Sequence, residues 1–474
     1  MGFTTVGFIC FLLAATIACR ACPARFRAAL LVLLSYAYYC TWSAWAALLM
    51  LAVTLAAFLA GKAIEAAHDG RHRRGLMLAS LGALLILLAA FKLTPLLGSA
   101  LKGSVWVPLG ISYYTFKLIS YVLEVYWNKI PAEKNFIPFA AYVAFFPQIV
   151  GGPIQRADSF LPQIHRAPAA SWNNIVWGLQ RILLGFFKKF AVADNLGLLV
   201  SFVFDHMHAP GTPLVLGFYA YPLQIYADFS GLTDIAIGAA WMLGIASPEN
   251  FNAPFAAPNP SEFWRRWHIT LTTLLNDYLF IPLRMALRNL GNAGLVLSLV
   301  ATMVSIGLWH GIRWTYAVFG LVHAGYLSID ALTARARKRY YKAHPGTGRL
   351  TDWLGPVVTF HLAALAFIFF RAATVADAWY MLGHLRMRIG APSAEFLSLL
   401  ANQGRFIILG FGAYFVCELA DYLRRHGQQG QAIARLPLWR RWIVYYCTTV
   451  AVVVMTLLLL GTPLKRVEFV YAMF

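Results

Sequence analysis

The chain alternates between long apolar runs and short polar segments along most of its length. A bilayer core requires about 20 apolar residues per helix, and several runs approach that length. The pattern predicts an all-α fold, a polytopic transmembrane helical bundle of about 11 crossings with additional re-entrant or interfacial helices. The candidate spans are residues 3–19, 28–41, 43–60, 76–97, 106–126, 136–154, 174–193, 212–227, 231–246, 294–309, 314–330, 354–370, 405–422 and 442–460.

The apolar segments between residues 136 and 290 are too short or too polar to cross alone. We expect re-entrant or interfacial pieces there, buried by other helices, because irregular backbone is tolerated at depth only inside protein. Within this region, 247–260 is rich in Pro and Asn and is not expected to be regular helix. The stretch "PSEFWRRWH" should then begin a helix, with Ser261 as its N-cap and Glu262 paired with Arg266 four residues later.

Composition supports a membrane protein and argues against a nucleic-acid partner. The chain is 60% hydrophobic and 12% charged, whereas soluble proteins carry about 25% charged residues. Its net charge of +20 comes from short basic segments between apolar runs, such as "GRHRRG" (70–75) and "ARARKRYYK" (334–342). This distribution follows the positive-inside rule and suits contact with anionic lipid headgroups. Cytoplasmic basic segments place the N-terminus and the tail, 461–474, outside, and residues 1–474 are expected to form one membrane domain.

Two histidines are the first candidates for chemistry. His310 ends an apolar run in "SIGLWHGIRW" (305–314), and His268 lies in the polar and aromatic region that follows the Pro/Asn segment. Neither has a His, Cys, Asp or Glu three or four residues away, so the spacing predicts no metal site. The six cysteines include "CRAC" without a second such pair, which is not a zinc pattern. We expect no permanently bound cofactor.

A buried neutral imidazole is a base at neutral pH, because burial disfavours the imidazolium. Such a base can take the proton of a hydroxyl that attacks a thioester or ester, and no GxSxG nucleophile elbow offers an acyl-serine route. Acyl transfer is therefore plausible, and a satisfied interior histidine is the simpler alternative. Asp228 and Asp234 leave a second alternative open, a proton path in a transporter. The structural interpretation of these aspartates is that they cap broken helices and pair with Arg265 and Arg266.

Several blocks carry more specific information than any single residue. They combine polar, aromatic and glycine positions inside apolar surroundings, and together they cover essentially the whole chain in order. The blocks are "LLVLLSYAYYCTW" (30–42), "PLGISYYTFKLISYVLEVY" (108–126), "FFPQIVGGPIQR" (145–156), "YADFSGLTDIAIG" (226–238), "PENFNAPF" (248–255), "FWRRWHITLTTLLNDYLFIPL" (263–283), "LWHG" (308–311), "GLVHAGYLSID" (320–330) and "FIFFRAATVADAW" (367–379).

These blocks closely resemble the membrane-bound O-acyltransferase family, and within it the bacterial branch of alginate O-acetyltransferases and D-alanyl transfer proteins. The resemblance implies a helical bundle around a cavity that crosses the membrane. It also implies transfer of an acyl group from a cytoplasmic thioester, acetyl-CoA or another, to a hydroxyl on or beyond the membrane. It implies a location in the bacterial inner membrane. As acceptor it suggests an alginate-like polysaccharide, with peptidoglycan, cellulose or teichoic acid as alternatives. An extracytoplasmic protein of the SGNH-hydrolase type is the expected partner.

The resemblance also assigns roles to residues. The invariant histidine of the family falls on His310 and the second histidine of the bacterial branch on His268, where other branches carry asparagine. The ending "FVYAMF" looks like the FxYxxF motif of these systems and makes Tyr471 a candidate acyl relay, with an aromatic interfacial anchor as the alternative. Residues expected to orient the site or support it are Trp309, Asn276, Asp277, His323 and Asp228.

Overall fold

The computed structural model describes residues 2–97, 108–166, 169–385 and 392–425, with residues 437, 439, 440, 442, 443, 446, 447 and 450. Every regular element in this part of the chain is a helix and none is a strand, which confirms the all-α prediction. The predicted tail, 461–474, and with it Tyr471, lies outside the described residues.

The chain divides into two compact units, each formed by two stretches of sequence. The first unit comprises residues 1–182 and 232–249, and the second comprises residues 183–231 and 250–474. The expectation of a single membrane domain stays a prediction. The units are described separately below.

Nineteen α-helices are present in the described residues. The first ten are α1 Val6–Ala21, α2 Ala24–Cys40, α3 Ala44–Ala66, α4 Gly70–Leu97, α5 Ile111–Tyr126, α6 Phe136–Ala144, α7 Phe146–Ile149, α8 Ala157–Arg166, α9 Trp172–Phe187 and α10 Asp194–Asp205. The others are α11 Leu214–Met242, α12 Pro260–Arg266, α13 Ile269–Leu275, α14 Ile281–Ala286, α15 Gly291–His310, α16 Trp314–Ala343, α17 Pro345–Arg371, α18 Val375–Gly383 and α19 Ala394–Arg425. Two π-helical turns, Lys188–Ala193 and Asn276–Phe280, are inserted between α9 and α10 and between α13 and α14.

Six of the described helical segments are long and apolar enough to cross a bilayer, so this is a multi-pass membrane protein. None of the six lies between residues 136 and 287, and the re-entrant or interfacial pieces expected there stay a prediction. The count of about 11 crossings stays a prediction. The six are Ala44–Ala66, Gly70–Leu93, Arg288–His310, Trp314–Ala343, Trp353–Arg371 and Ala394–Leu419.

Two sequence expectations about helix ends were wrong. The segments 212–227 and 231–246 form one continuous helix, α11, that runs through Gly231. A Cβ on Gly231 would lie 2.8 Å from the carbonyl oxygen of Gly185, so this glycine permits close packing and does not break the helix. The basic segments 70–75 and 334–342 are helical turns of α4 and α16 instead of loops, because Arg and Lys are strong helix formers.

The pairing of α15 with α16 fixes the position of His310, the last residue of α15. The two helices approach closely at two glycines: a Cβ on Gly307 would lie 2.1 Å from the carbonyl oxygen of Tyr316, and one on Gly320 would lie 2.5 Å from that of Met303. Small residues allow such contacts between membrane helices. The "LWHG" block therefore places its histidine at a rigid, tightly packed helix end.

Candidate functional site

The site begins with the backbone at His268, between α12 and α13 in the second unit. His268 has φ 44° and ψ 52°, the left-handed conformation that few non-glycine residues adopt. Because such strain persists only where the surroundings enforce it, the left-handed turn marks a position of possible function. The turn separates two short helices and directs the imidazole into the interior, where the residue is 1% exposed.

The helix before this turn is capped differently from the prediction. Asn259, not Ser261, is the N-cap of α12, and its side chain accepts a hydrogen bond of 2.8 Å from the backbone amide of Glu262. Ser261 is instead inside the first turn and donates its hydroxyl to Asp330. The predicted pair of Glu262 and Arg266 is confirmed at 3.7 Å, although Arg265 is closer at 2.5 Å.

Asn250 holds the His268 turn through both its backbone and its side chain. The backbone carbonyl of Asn250 accepts a hydrogen bond of 2.9 Å from the amide of Ile269. Its Oδ1 lies 3.1 Å from His268 Nδ1 and accepts from the amide and hydroxyl of Thr270, at 3.2 and 2.9 Å. Asn250 is fully buried, so these contacts are shielded from water. The "PENFNAPF" block therefore supports the histidine turn directly.

The two candidate histidines both lie against one indole, that of Trp309. The ring of Trp309 lies 5.9 Å from the ring of His268 and 4.6 Å from that of His310, between ring centroids. The ring of Phe229 lies 4.7 Å from that of His268, and the ring of Phe370 lies 4.9 Å from that of His310. The structure thus brings His268, His310 and Trp309 together in aromatic surroundings. We call His268 and His310 the histidine pair.

Burial keeps the imidazole of His268 uncharged. His268 lies outside the six helical segments able to span the membrane, and burial lowers its pKa to about 3 because desolvation penalises the imidazolium. At neutral pH the ring is therefore uncharged, and its part in catalysis stays a prediction. His310 is also buried, at 8% exposure.

His323 is buried in a separate aromatic cluster of the same unit. The indole of Trp264 donates to His323 Nδ1 at 3.2 Å, and the ring of Phe263 lies parallel to the imidazole at 6.1 Å. Phe319 contacts it edge-on at 4.7 Å. Because Trp264 belongs to α12 and His323 to α16, the contact ties the helix before the His268 turn to a long apolar helix.

The acidic candidates have basic partners, but not the predicted ones. In the second unit, Asp228 lies 2.9 Å from Lys189. In the first unit, Asp234 lies 2.5 Å from Arg181. The expected pairing with Arg265 and Arg266 was therefore wrong, because those arginines belong to α12, one turn from Glu262. Both aspartates lie within the continuous helix α11 and do not cap broken helices.

Asn276 and Asp277 lie in the second π-helical turn, directly after α13. The amide of Asn276 donates to the carboxylate of Asp277 at 2.9 Å, so the two side chains engage each other. Both are half-buried. No group of three or more His, Cys, Asp or Glu side chains suited to a metal ion occurs among the described residues.

Sequence reasoning missed a buried group of charges in the second unit, which we call the lysine cluster. Lys188 lies 2.7 Å from Asp421, and Lys189 lies 2.9 Å from both Asp228 and Asp194. The π-helical turn Lys188–Ala193 alters the helical spacing there, as such turns commonly do at special sites. The signal was present in "GFFKKF", where two consecutive lysines interrupt an apolar run.

Comparison with known proteins gives consistent matches. Residues 130–371 match the model of MBOAT, membrane-bound O-acyltransferase family. The chain is 35% identical to probable alginate O-acetylase AlgI of Azotobacter vinelandii over 383 residues, 76% of this chain and 72% of that protein. It is 31% identical to the peptidoglycan O-acetyltransferase of Helicobacter pylori over 64% of this chain and 60% of that protein. It is also 31% identical to the teichoic acid D-alanyltransferase of Bacillus subtilis, over 55% of this chain and 68% of that protein.

Proposed function

Because the chain belongs to the membrane-bound O-acyltransferase family, we propose that it moves an acetyl group across the bacterial inner membrane. The donor is a cytoplasmic thioester, acetyl-CoA or a related one, and the acceptors are hydroxyls of an extracytoplasmic, alginate-like polysaccharide. Similarity to the alginate O-acetylase extends over 76% of the chain and supports this acceptor over the polymers in the names of the shorter matches.

The observation that carries the proposal is the histidine pair beside Trp309. Both imidazoles are buried in aromatic surroundings beside Trp309, and an imidazole nitrogen held against an acceptor hydroxyl can take its proton. His310 is the general base, and His268 assists or orients the acceptor. The proton-path alternative loses support, because Asp228 is engaged with Lys189.

The chemical step is a direct acyl transfer. The acceptor oxygen attacks the thioester carbonyl while His310 takes the hydroxyl proton, and a C–O bond forms as the carbonyl becomes an oxyanion. Collapse of this intermediate breaks the C–S bond, and the proton returns from the imidazolium to the leaving thiolate. General-base assistance of this kind contributes about 100-fold to 10,000-fold to a rate.

Delivery beyond the membrane is the second half of the proposal. A tail exposed on the outer side would let Tyr471 accept the acetyl group and pass it to a partner of the SGNH-hydrolase type. The sequence supports this role through the "FVYAMF" ending, which lies outside the described residues. An aromatic anchor at the interface remains the alternative for this tyrosine.

The test is the O-acetyl ester content of the surface polysaccharide of the producing cell. A deletion strain is complemented with wild type, His310→Ala, His268→Asn or Tyr471→Phe, at equal protein level in the membrane. Asparagine is used at 268 because it adopts the left-handed backbone more readily than alanine. His72→Ala, at an exposed histidine of α4, is the matched control.

We expect His310→Ala to reduce the esters by at least about 100-fold, with His72→Ala at the wild-type level. Wild-type esters in folded His310→Ala would overturn the catalytic assignment. Loss in Tyr471→Phe supports the relay, whereas an unchanged level makes that residue an anchor. If esters appear on peptidoglycan, or D-alanine on teichoic acid, the acyl-transfer reaction stands and that polymer is the acceptor.

A further inference from the structure

The contacts around Asn250 allow the identity of its side-chain atoms to be deduced. The atom that faces the Thr270 backbone amide, at 3.2 Å, is oxygen, because a backbone N–H only donates. Rotating the amide by 180° would place its NH₂ group against that N–H. The orientation of Asn250 is therefore fixed by a backbone group that has no alternative state.

The same oxygen fixes the proton on His268. Asn250 Oδ1 lies 3.1 Å from His268 Nδ1, and an amide oxygen only accepts, so Nδ1 is the donor and carries the hydrogen. A neutral imidazole has one N–H and one lone pair. With the hydrogen on Nδ1, the lone pair is on Nε2.

We propose that Asn250 is a positioning residue that holds His268 in its Nδ1–H tautomer, so that Nε2 is the basic nitrogen. The Thr270 amide orients the Asn250 oxygen, and that oxygen in turn orients the imidazole. Its functional meaning rests on the proposed function, in which His268 assists acyl transfer. The tautomer itself is a property of the protein that exists without substrate.

A purely structural role for Asn250 makes a different prediction. Its backbone carbonyl already anchors the turn through Ile269, and this bond survives any substitution of the side chain. A structural side chain would therefore affect folding and leave the proton distribution on His268 unchanged. The tautomer is the readout that separates the two roles.

The experiment uses the full-length protein in lipid bilayers, with histidines labelled with ¹⁵N and ¹³C, and solid-state NMR. Spectra of His268→Asn identify the His268 signals by subtraction. Asn250→Leu removes the acceptor at nearly constant volume, and Asn250→Asp retains an oxygen for both Nδ1–H and the Thr270 amide. Asn252→Leu makes the same change at an exposed asparagine two residues away. Ester yield is measured in parallel for each variant.

We expect the Nδ1–H tautomer in wild type, Asn250→Asp and Asn252→Leu, and a shift toward Nε2–H in Asn250→Leu. The ester yield of Asn250→Leu should fall at least about 10-fold, since the wrong tautomer presents a hydrogen where a lone pair is needed. An Nε2–H tautomer in wild type, or an unchanged one in Asn250→Leu, would overturn the positioning role. If Asn250→Leu does not fold, Asn250→Ala removes the same acceptor and its spectrum is interpreted in the same way.

Failure of the two proposals is distinguishable. If the tautomer shifts in Asn250→Leu while the ester yield stays at the wild-type level, the positioning role stands and the part of His268 in acyl transfer is wrong. If neither Asn250→Leu nor His268→Asn lowers the ester yield, the part of His268 in acyl transfer is also wrong. The tautomer result alone decides the inference about Asn250.

Discussion

The lysine cluster and the histidine pair are both buried in the second unit, and both lie where helices are irregular, yet they handle charge in opposite ways. Lys188 and Lys189 are each within 2.9 Å of a carboxylate, so their charges are compensated. His268 instead faces the neutral amide of Asn250 and aromatic rings.

The difference indicates that the lysine cluster stabilises the fold, whereas the histidine pair is suited to proton transfer. A buried cation without a counter-ion costs several kcal/mol, so paired lysines and aspartates bind one helix to another and have little freedom to exchange protons. An imidazole with amide and aromatic neighbours avoids that cost by staying neutral, and a neutral imidazole is a base. If buried charged groups stabilise the fold in this way, three substitutions among them should lower stability by different amounts.

Breaking the ion pair between Lys188 and Asp421 should have the largest effect. Asp421→Leu leaves a buried ammonium beside Tyr226 and should lower the free energy of unfolding by about 3–5 kcal/mol. The double variant Lys188→Met with Asp421→Leu removes both charges and should recover most of that loss. Thermal unfolding in detergent measures both, with Asp205→Leu at an exposed helix end as the control. A double variant as unstable as the single one would contradict a charge-pairing role.

Asp228→Asn should have an intermediate effect. Lys189 keeps Asp194 at 2.9 Å, and the new amide oxygen still accepts a hydrogen bond. The expected loss of stability is about 1–3 kcal/mol, that of weakening a buried hydrogen bond to a charged group. Ester yield per folded molecule should stay within about twofold of wild type, because the pair is architectural and contributes no base. A loss as deep as that of His310→Ala would place Asp228 in proton transfer and break the comparison.

Lys117→Met, in the first unit, should have the smallest effect. Lys117 is buried in α5, and its ammonium donates to the carbonyl of Tyr142 at 3.0 Å and to Gln148 Oε1 at 2.8 Å. Methionine leaves two neutral acceptors short of a donor but removes a buried charge, so the net cost should be about 1 kcal/mol. The same thermal measurement checks it beside Asp421→Leu. A loss of 3 kcal/mol or more would reveal an anionic partner and place Lys117 with the paired lysines.

The sequence predicted elements and single residues better than partners. His310 was identifiable because an ionisable group at the end of an apolar run is costly, and α12 was identifiable from its Pro/Asn leader. The local ion pair of Glu262 and Arg266 was also identifiable, but long-range pairs were not, since Asp421 lies 233 residues from Lys188 and nothing local connects them. The left-handed turn at His268 and its contact with Asn250, 18 residues away, were hidden for the same reason, because tertiary packing imposes both.

The backbone of His268 also constrains how this protein can change over generations. A left-handed residue accepts few side chains, chiefly glycine, asparagine, aspartate and histidine, while β-branched residues are excluded by their own atoms. Histidine and asparagine codons differ by one base, so a single mutation exchanges an ionisable ring for an amide without remodelling the turn. At position 268 the side chain can therefore change its chemistry while the fold is retained. In a mutational scan, substitutions there would be limited first by whether the residue adopts the left-handed backbone and then by their effect on catalysis.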